Sequence, residues 1–170
     1  MGTDVNNGVK RVLFLGGESS GKTTLSRVCA GYFNTTWIPE YGRQYGEQHD
    51  QEYTKESLHH IASTQRKMED AYASLLDIMF CDTNELVASF YAREWYNDPT
   101  IEIPDLRLYH RIYVLRNDFP FVQDGSRQGI EFSTKQYMYY VSYLDHEGID
   151  YIELSGTIGQ RLDTVVRTIQ

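Results

Sequence analysis

Gly16-Gly17-Glu18-Ser19-Ser20-Gly21-Lys22-Thr23-Thr24 follows directly on the apolar run Val12-Leu13-Phe14-Leu15. Gly16, Gly21, Lys22 and Thr23 fill the fixed positions of the pattern G-x-x-x-x-G-K-[ST]. Glycines at these places let the chain curl until successive backbone N–H groups point into one concavity. A helix opening near Gly21 aims its positive end at the same spot. Lys22 adds a mobile charge for the outer phosphates, and Thr23 offers a hydroxyl to a metal ion. The ligand so implied is a nucleoside triphosphate, ATP or GTP, with Mg2+. It would be held by Gly17, Glu18, Ser19, Ser20, Gly21, Lys22, Thr23 and Thr24.

Other residues can complete a phosphoryl transfer. Asp82 closes the run Asp77-Ile78-Met79-Phe80-Cys81. An acid at the carboxyl end of a buried strand lies on the ligand edge of an α/β sheet. There it can join Thr23 in holding magnesium, directly or through water, or accept a proton; a strand-end aspartate also serves as a helix cap. Glu40-Tyr41-Gly42-Arg43 falls on the same edge. Glu40 could activate a substrate hydroxyl, and Arg43 could hold substrate phosphate or ribose. The stretch from Phe119 to Gly129 has the makings of a lid, with Arg127 meeting the charge on the migrating phosphoryl group. Arg116 is a less favoured cation. Ser155-Gly156-Thr157-Ile158-Gly159 offers either backbone contacts for adenine or a plain turn, and Arg161 just beyond could stack on that ring.

Alternating patterns supply the elements that must position these groups. Strands are expected over Arg11–Leu15, Thr36–Ile38, Asp77–Cys81, Arg111–Leu115 and Tyr151–Leu154. Helices are expected over Lys22–Phe33, from a Thr54 cap onward, over Asn84–Tyr96, from a Ser133/Gln136 capping box to Gly148, and over Gln160–Ile169. Tyr41–Tyr53 is polar and reads as a loop or partly ordered segment. Strands separated by helices imply right-handed crossovers and a parallel sheet. The expected fold is a three-layer α/β P-loop NTPase domain with a five-stranded parallel sheet, like a nucleoside or nucleotide kinase with a lid. The tyrosines at 137, 139, 140 and 143 belong to helix surface and core.

Composition bounds the rest. A chain of 170 residues suits one domain, with residues 1–9 as a flexible lead. A net charge of −8 argues against broad nucleic-acid binding, which needs a basic face. Cys29 and Cys81 sit in apolar segments and read as reduced core thiols. His59 and His60 are adjacent on a helix and point apart, which disfavours a metal role. No signal peptide or membrane-spanning run is read, so a cytoplasmic protein with a small-molecule substrate is expected. The oligomeric state is left open.

Taken in order, four segments resemble a known family. They are Gly16–Thr24, Phe33-Asn34-Thr35-Thr36 leading to Glu40-Tyr41-Gly42-Arg43, Asp82-Thr83, and Asp124-Gly125 with Arg127 and Gly129. Together they are similar to the ribosylnicotinamide kinase domain of NadR-type proteins, over about Arg11 to the C-terminus. The resemblance implies ATP-dependent phosphorylation of the 5′-hydroxyl of nicotinamide riboside, giving nicotinamide mononucleotide. It implies Lys22, Asp82, Glu40 and Arg127 as catalytic, and Glu40, Tyr41, Arg43, Asp82, Asn84, Phe121 and Asp124 around the substrate. Asn84 stands where the family often has a third-position aspartate, and Phe121 where an aromatic, commonly tryptophan, fits. The substrate's pyridinium cation could stack on Phe121, Tyr41 or Trp37. The nucleotidyltransferase and DNA-binding domains that often accompany such kinases are not read here, so adenylylation and repression are not carried over. Two other functions fit the motifs: another nucleoside or nucleotide kinase, and a nucleotide-gated regulatory ATPase module.

Overall fold

β1, Lys10–Gly16, is apolar on both faces because both faces are covered. Leu13 and Leu15 enter one core with Leu86, Phe90, Tyr140 and Leu144. Val12 and Phe14 enter the other with Leu25, Cys29 and Val165. The computed structural model describes residues 8–120, 122, 124–125 and 127–170. Of the lead expected over residues 1–9, residues 1–7 lie outside those described, and Val9 packs against the first core.

The other strands are β2 Thr36–Ile38, β3 Ile78–Asp82, β4 Arg111–Leu115 and β5 Ile152–Leu154. The sheet order is β2-β3-β1-β4-β5, and every pairing is parallel. The helices are α1 Lys22–Tyr32, α2 Tyr41–Gln48, α3 Lys55–Ala73, α4 Glu85–Tyr96, α5 Ile130–Glu147 and α6 Ile158–Thr168. α1 and α6 cover one face of the sheet, α4 and α5 the other. α3 packs on α4 through Leu58, Ile61, Ala62, Ala88 and Ala92. This is the expected three-layer α/β arrangement. β1 has β3 on one side and β4 on the other, so the order reverses there and opens a crevice at the strands' carboxyl ends.

Local chemistry explains most boundaries. Thr54 caps α3, its hydroxyl taking the Ser57 N–H while the Ser57 hydroxyl takes the Thr54 N–H. Gly148 ends α5 in the left-handed region at φ 62°. Thr157 and Gln160 form a second capping box, so α6 opens two residues before the expected Gln160.

Two expectations are corrected. Tyr41–Tyr53 is not a loop throughout: α2 occupies Tyr41–Gln48. Its polar residues hide an amphipathic contact, with Tyr41 and Tyr45 packing on the α3–α4 cluster and the Tyr41 N–H held by Gln65. Gly46 permits this packing, since a Cβ there would lie 2.0 Å from the Tyr53 hydroxyl. Ser133 and Gln136 do not cap α5, which begins a turn earlier behind Gly129. Both are buried and turn toward the loop after β1.

Candidate active site

The loop after β1 is held by α5 and α6. The Glu18 N–H donates to Gln136 Oε1 at 2.9 Å, and the Ser133 hydroxyl donates to the Glu18 carbonyl at 2.6 Å. A Cβ on Gly17 would lie 2.2 Å from the Ser133 carbonyl, so only glycine lets α5 approach this closely. Underneath, Arg161 is fully buried and donates to the Ser20 carbonyl at 2.6 Å. Its guanidinium pairs with Asp118 and lies 4.3 Å from the centre of the Phe119 ring. Arg161 is therefore committed to the loop's floor. Gly156 donates its N–H to Asp118, and Thr157 caps α6.

Lys22 starts α1, and its ammonium donates to the Gly16 and Gly17 carbonyls at 2.8 and 2.9 Å. Burial lowers its pKa, opposed by the charges of Glu40 and Asp82. The Thr23 hydroxyl donates to Asp82 Oδ2 at 2.6 Å. Asp82 does not cap α4. Asn84 does, its Oδ1 taking the Leu86 N–H at 3.1 Å. Burial raises the pKa of Asp82 despite Lys22 and the Thr23 hydrogen bond. Burial, then the charge of Asp82, raises that of Glu40 as well. Two carboxylates and an ammonium thus share one corner, with Asp82 buried and Glu40 and Lys22 half-buried, an arrangement common where protons and phosphates are handled.

Parallel register brings them there. Ile38 is level with Cys81, and Phe14 with Asp82, so Glu40, Asp82 and the loop after Gly16 emerge at one edge. Asp82 Oδ1, the Thr83 hydroxyl and Asn84 Nδ2 are buried with no hydrogen-bond partner among the described residues. Thr83 holds φ 77°, a conformation β-branched residues rarely adopt.

A cavity of about 680 Å³ opens from this edge. Glu18, Lys22, Thr23, Glu40, Arg43, Asn84, Asp124 and Arg127 line it, as do Tyr53, Tyr91 and Trp95. Tyr91 and Trp95 have ring centroids 4.5 Å apart. The segment after β4 meets the loop through Val122, whose N–H donates to the Ser19 hydroxyl at 3.0 Å, and through Gln128, whose N–H donates to Glu18 Oε2 at 2.7 Å. Arg127 pairs with Asp124 at 3.2 Å and reaches the Ser19 hydroxyl at 3.5 Å.

Other sequence candidates lie elsewhere. The Tyr41 ring packs on Tyr45 and His60, off the cavity lining. Trp37 packs on the opposite face of the sheet under Arg27. Phe121 lies outside the described residues. Arg116 pairs with Glu153 at the surface. His59 binds Asp98 at 2.8 Å, and no cluster of His, Cys, Asp and Glu with metal-ligand geometry occurs among the described residues. Tyr91 and Trp95 escaped sequence reasoning, although their i, i+4 spacing on α4 places them on one helix face.

Residues 11–161 match the AAA domain family. The chain belongs to the AAA domain family. This AAA domain is 30% identical over 159 residues to the trifunctional NAD biosynthesis/regulator protein NadR of Escherichia coli, covering 86% of this chain and 38% of that one. It therefore spans well under half the length of that curated relative. A crystal structure of NadR protein in complex with NR superposes with a TM-score of 0.75 at 22% identity, over 94% of this chain and 49% of that one. A thymidylate kinase from Candida albicans gives a TM-score of 0.67 at 15% identity, over 95% and 91% of the two chains. The AAA domain thus has the P-loop fold of nucleotide kinases. Among its described residues, no helix is long and apolar enough to cross a membrane.

Proposed function

We propose that the chain transfers the γ-phosphoryl group of ATP to the 5′-hydroxyl of nicotinamide riboside, giving nicotinamide mononucleotide and ADP. The observation that carries this reading is the shared cavity. The phosphate loop, Glu40 and an aromatic wall of Tyr53, Tyr91 and Trp95 all line one space, with the buried Asp82 held beneath it by Thr23. A flat cationic ring suits that wall, because aromatic faces attract cations. Similarity to NadR supports the same substrate.

The loop N–H groups and Lys22 hold the β- and γ-phosphates. The donor set suits magnesium, a hard ion that takes hydroxyl and carboxylate oxygens together with substrate phosphates. Thr23 and Asp82 would hold it, and the buried Asp82 Oδ1 has no partner among the described residues. Magnesium supplies charge neutralisation to the phosphate oxygens when bound. Glu40 lines the cavity and Asp82 is engaged by Thr23, so Glu40 is the carboxylate that takes the 5′-hydroxyl proton. The new bond joins the 5′-oxygen to the γ-phosphorus, the bond to the β–γ bridging oxygen breaks, and ADP leaves. Arg127, with Arg43, meets the charge on the transferring group.

A second reading, phosphorylation of an uncharged nucleoside or nucleotide, draws support from Asn84. Its neutral amide lines the cavity with Nδ2 unpartnered among the described residues, offering a donor where a carboxylate would favour a cation. ADP release separates the readings. It is measured with ATP and magnesium alone, then with nicotinamide riboside, thymidine or deoxycytidine added. Stimulation by the riboside alone is expected; stimulation only by a deoxynucleoside overturns the substrate. ATP binding with no acceptor-dependent turnover instead supports a regulatory module.

A further inference from the structure

Glu18 puts a negative charge in a loop whose task is to bind anions, and like charges repel. Its surroundings suggest why it stands there. Both side-chain oxygens are engaged: the Tyr91 hydroxyl donates to Oε1 at 2.8 Å, and the Gln128 N–H donates to Oε2 at 2.7 Å. The backbone is fixed independently by Gln136 and Ser133 on α5. The side chain is thus free of any duty in holding the loop's own shape. It links two features on opposite sides of the loop. Tyr91 is the acceptor wall, its ring tilted against that of Trp95 and facing the cavity. Gln128 is the next residue after Arg127, in the segment that also meets the loop through Val122 and Ser19.

From this geometry we propose that Glu18 is a positioning residue, carrying the state of the acceptor wall to the segment that bears Arg127. The proposal rests on the reading that the cavity takes the phosphoryl acceptor. An acceptor stacked on Tyr91 and Trp95 fixes the Tyr91 hydroxyl, which fixes the Glu18 carboxylate, which in turn holds the Gln128 N–H and places its neighbour Arg127 over the phosphates. With the wall unfilled, this chain of hydrogen bonds is looser and Arg127 is less well placed. Transfer of the phosphoryl group to water is thereby disfavoured relative to transfer to the acceptor. A hydrogen bond to a carboxylate is strong enough for this, being about twice as strong as one between neutral groups.

The first test needs no ligand. Backbone hydrogen exchange is followed across residues 124–129 in the full chain, as wild type, Glu18→Gln and Tyr91→Phe. Phenylalanine keeps the tilted ring contact with Trp95 and removes only the hydroxyl. The expected result is exchange about tenfold faster at 124–129 in Glu18→Gln, and several-fold faster in Tyr91→Phe, with β1 and β4 unchanged. Wild-type exchange at 124–129 in Tyr91→Phe, or an equal rise throughout the chain, overturns the proposal.

The second test is the ratio of acceptor-dependent to acceptor-independent ADP release. It should fall about tenfold in Tyr91→Phe with the KM for ATP unchanged, whereas loss of both rates in proportion contradicts the coupling. If wild type shows no response to nicotinamide riboside, the functional reading fails by itself, and the exchange data still decide the role of Glu18.

Discussion

The Thr23 hydroxyl donates to Asp82 Oδ2 at 2.6 Å, tying the first turn of α1 to the end of β3. These residues are 59 positions apart in the chain, and the β1–β3 register makes them neighbours. The contact joins the phosphate-binding half of the site to its carboxylates.

Lys22 tests the phosphate-binding half. Its half-buried ammonium donates to the Gly16 and Gly17 carbonyls, and desolvation lowers its pKa. Lys22→Ala should cut turnover by about 10²–10³-fold, the scale seen on removing one preorganised donor to developing charge. Thermal unfolding should be little changed, because a desolvated charge is removed with the side chain. Near-normal turnover in folded Lys22→Ala contradicts the mechanism.

Glu40 predicts a pH dependence. Burial, then the charge of Asp82, raises its pKa above the usual carboxylate value of 4.5. A base must be deprotonated to act, so kcat/KM should fall as pH drops, with its midpoint above the usual carboxylate range. Glu40→Gln should lower kcat and abolish that limb. An unchanged profile in Glu40→Gln would move the proton to another group.

Arg161 tests the loop's floor. It is fully buried, donates to the Ser20 carbonyl and pairs with Asp118. Arg161→Met leaves the Ser20 carbonyl without its donor while Asp118 keeps access to water, and should cost about 1–2 kcal/mol of stability. Urea denaturation checks this. The KM for ATP should also rise, since the loop loses a support it has from no other described side chain on α6.

Glu69 gives a stability signature away from the site. It takes the Tyr109 hydroxyl on both oxygens, at 3.0 and 2.9 Å, with Arg66 at 3.5 Å and Arg11 at 3.6 Å. Burial is the largest influence and pushes its pKa from 4.5 up to about 7. The folded protein then holds this proton more tightly than the unfolded chain. The resulting stability is fully present below about pH 4.5 and is lost as pH rises through about 7. Glu69→Gln should flatten this part of the curve in urea midpoints taken from pH 5 to 8. A slope equal to wild type would assign the titration elsewhere.

Much of this was legible in the residues, and the exceptions have physical causes. The phosphate loop and β1 are local patterns, so Gly16–Thr24 and Val12–Leu15 read directly. Asp82 and Glu40 could be placed because strand ends in a parallel sheet share one edge. α2 was hidden because its stability comes from contacts of Tyr41 and Tyr45 with α3, which no local period reveals. Ser133 and Gln136 fit a capping box by spacing, yet their side chains serve a loop more than 110 positions away. Tyr91 and Trp95 form a wall only once α4 is packed over β3, and their helical spacing was the one signal that could have found them. Arg161 shows its role under the phosphate loop only once α6 is folded, because the Ser20 carbonyl it meets is 141 positions away.

Competition among nucleosides tests whether nicotinamide riboside is the acceptor. The protein is incubated with ATP, magnesium and an equimolar mixture of nicotinamide riboside, thymidine and deoxycytidine, and the products are resolved by mass spectrometry. Nicotinamide mononucleotide is expected as the phosphorylated product, with ADP formed in equal amount. A deoxynucleoside monophosphate as the main product, with the riboside recovered intact, would contradict it.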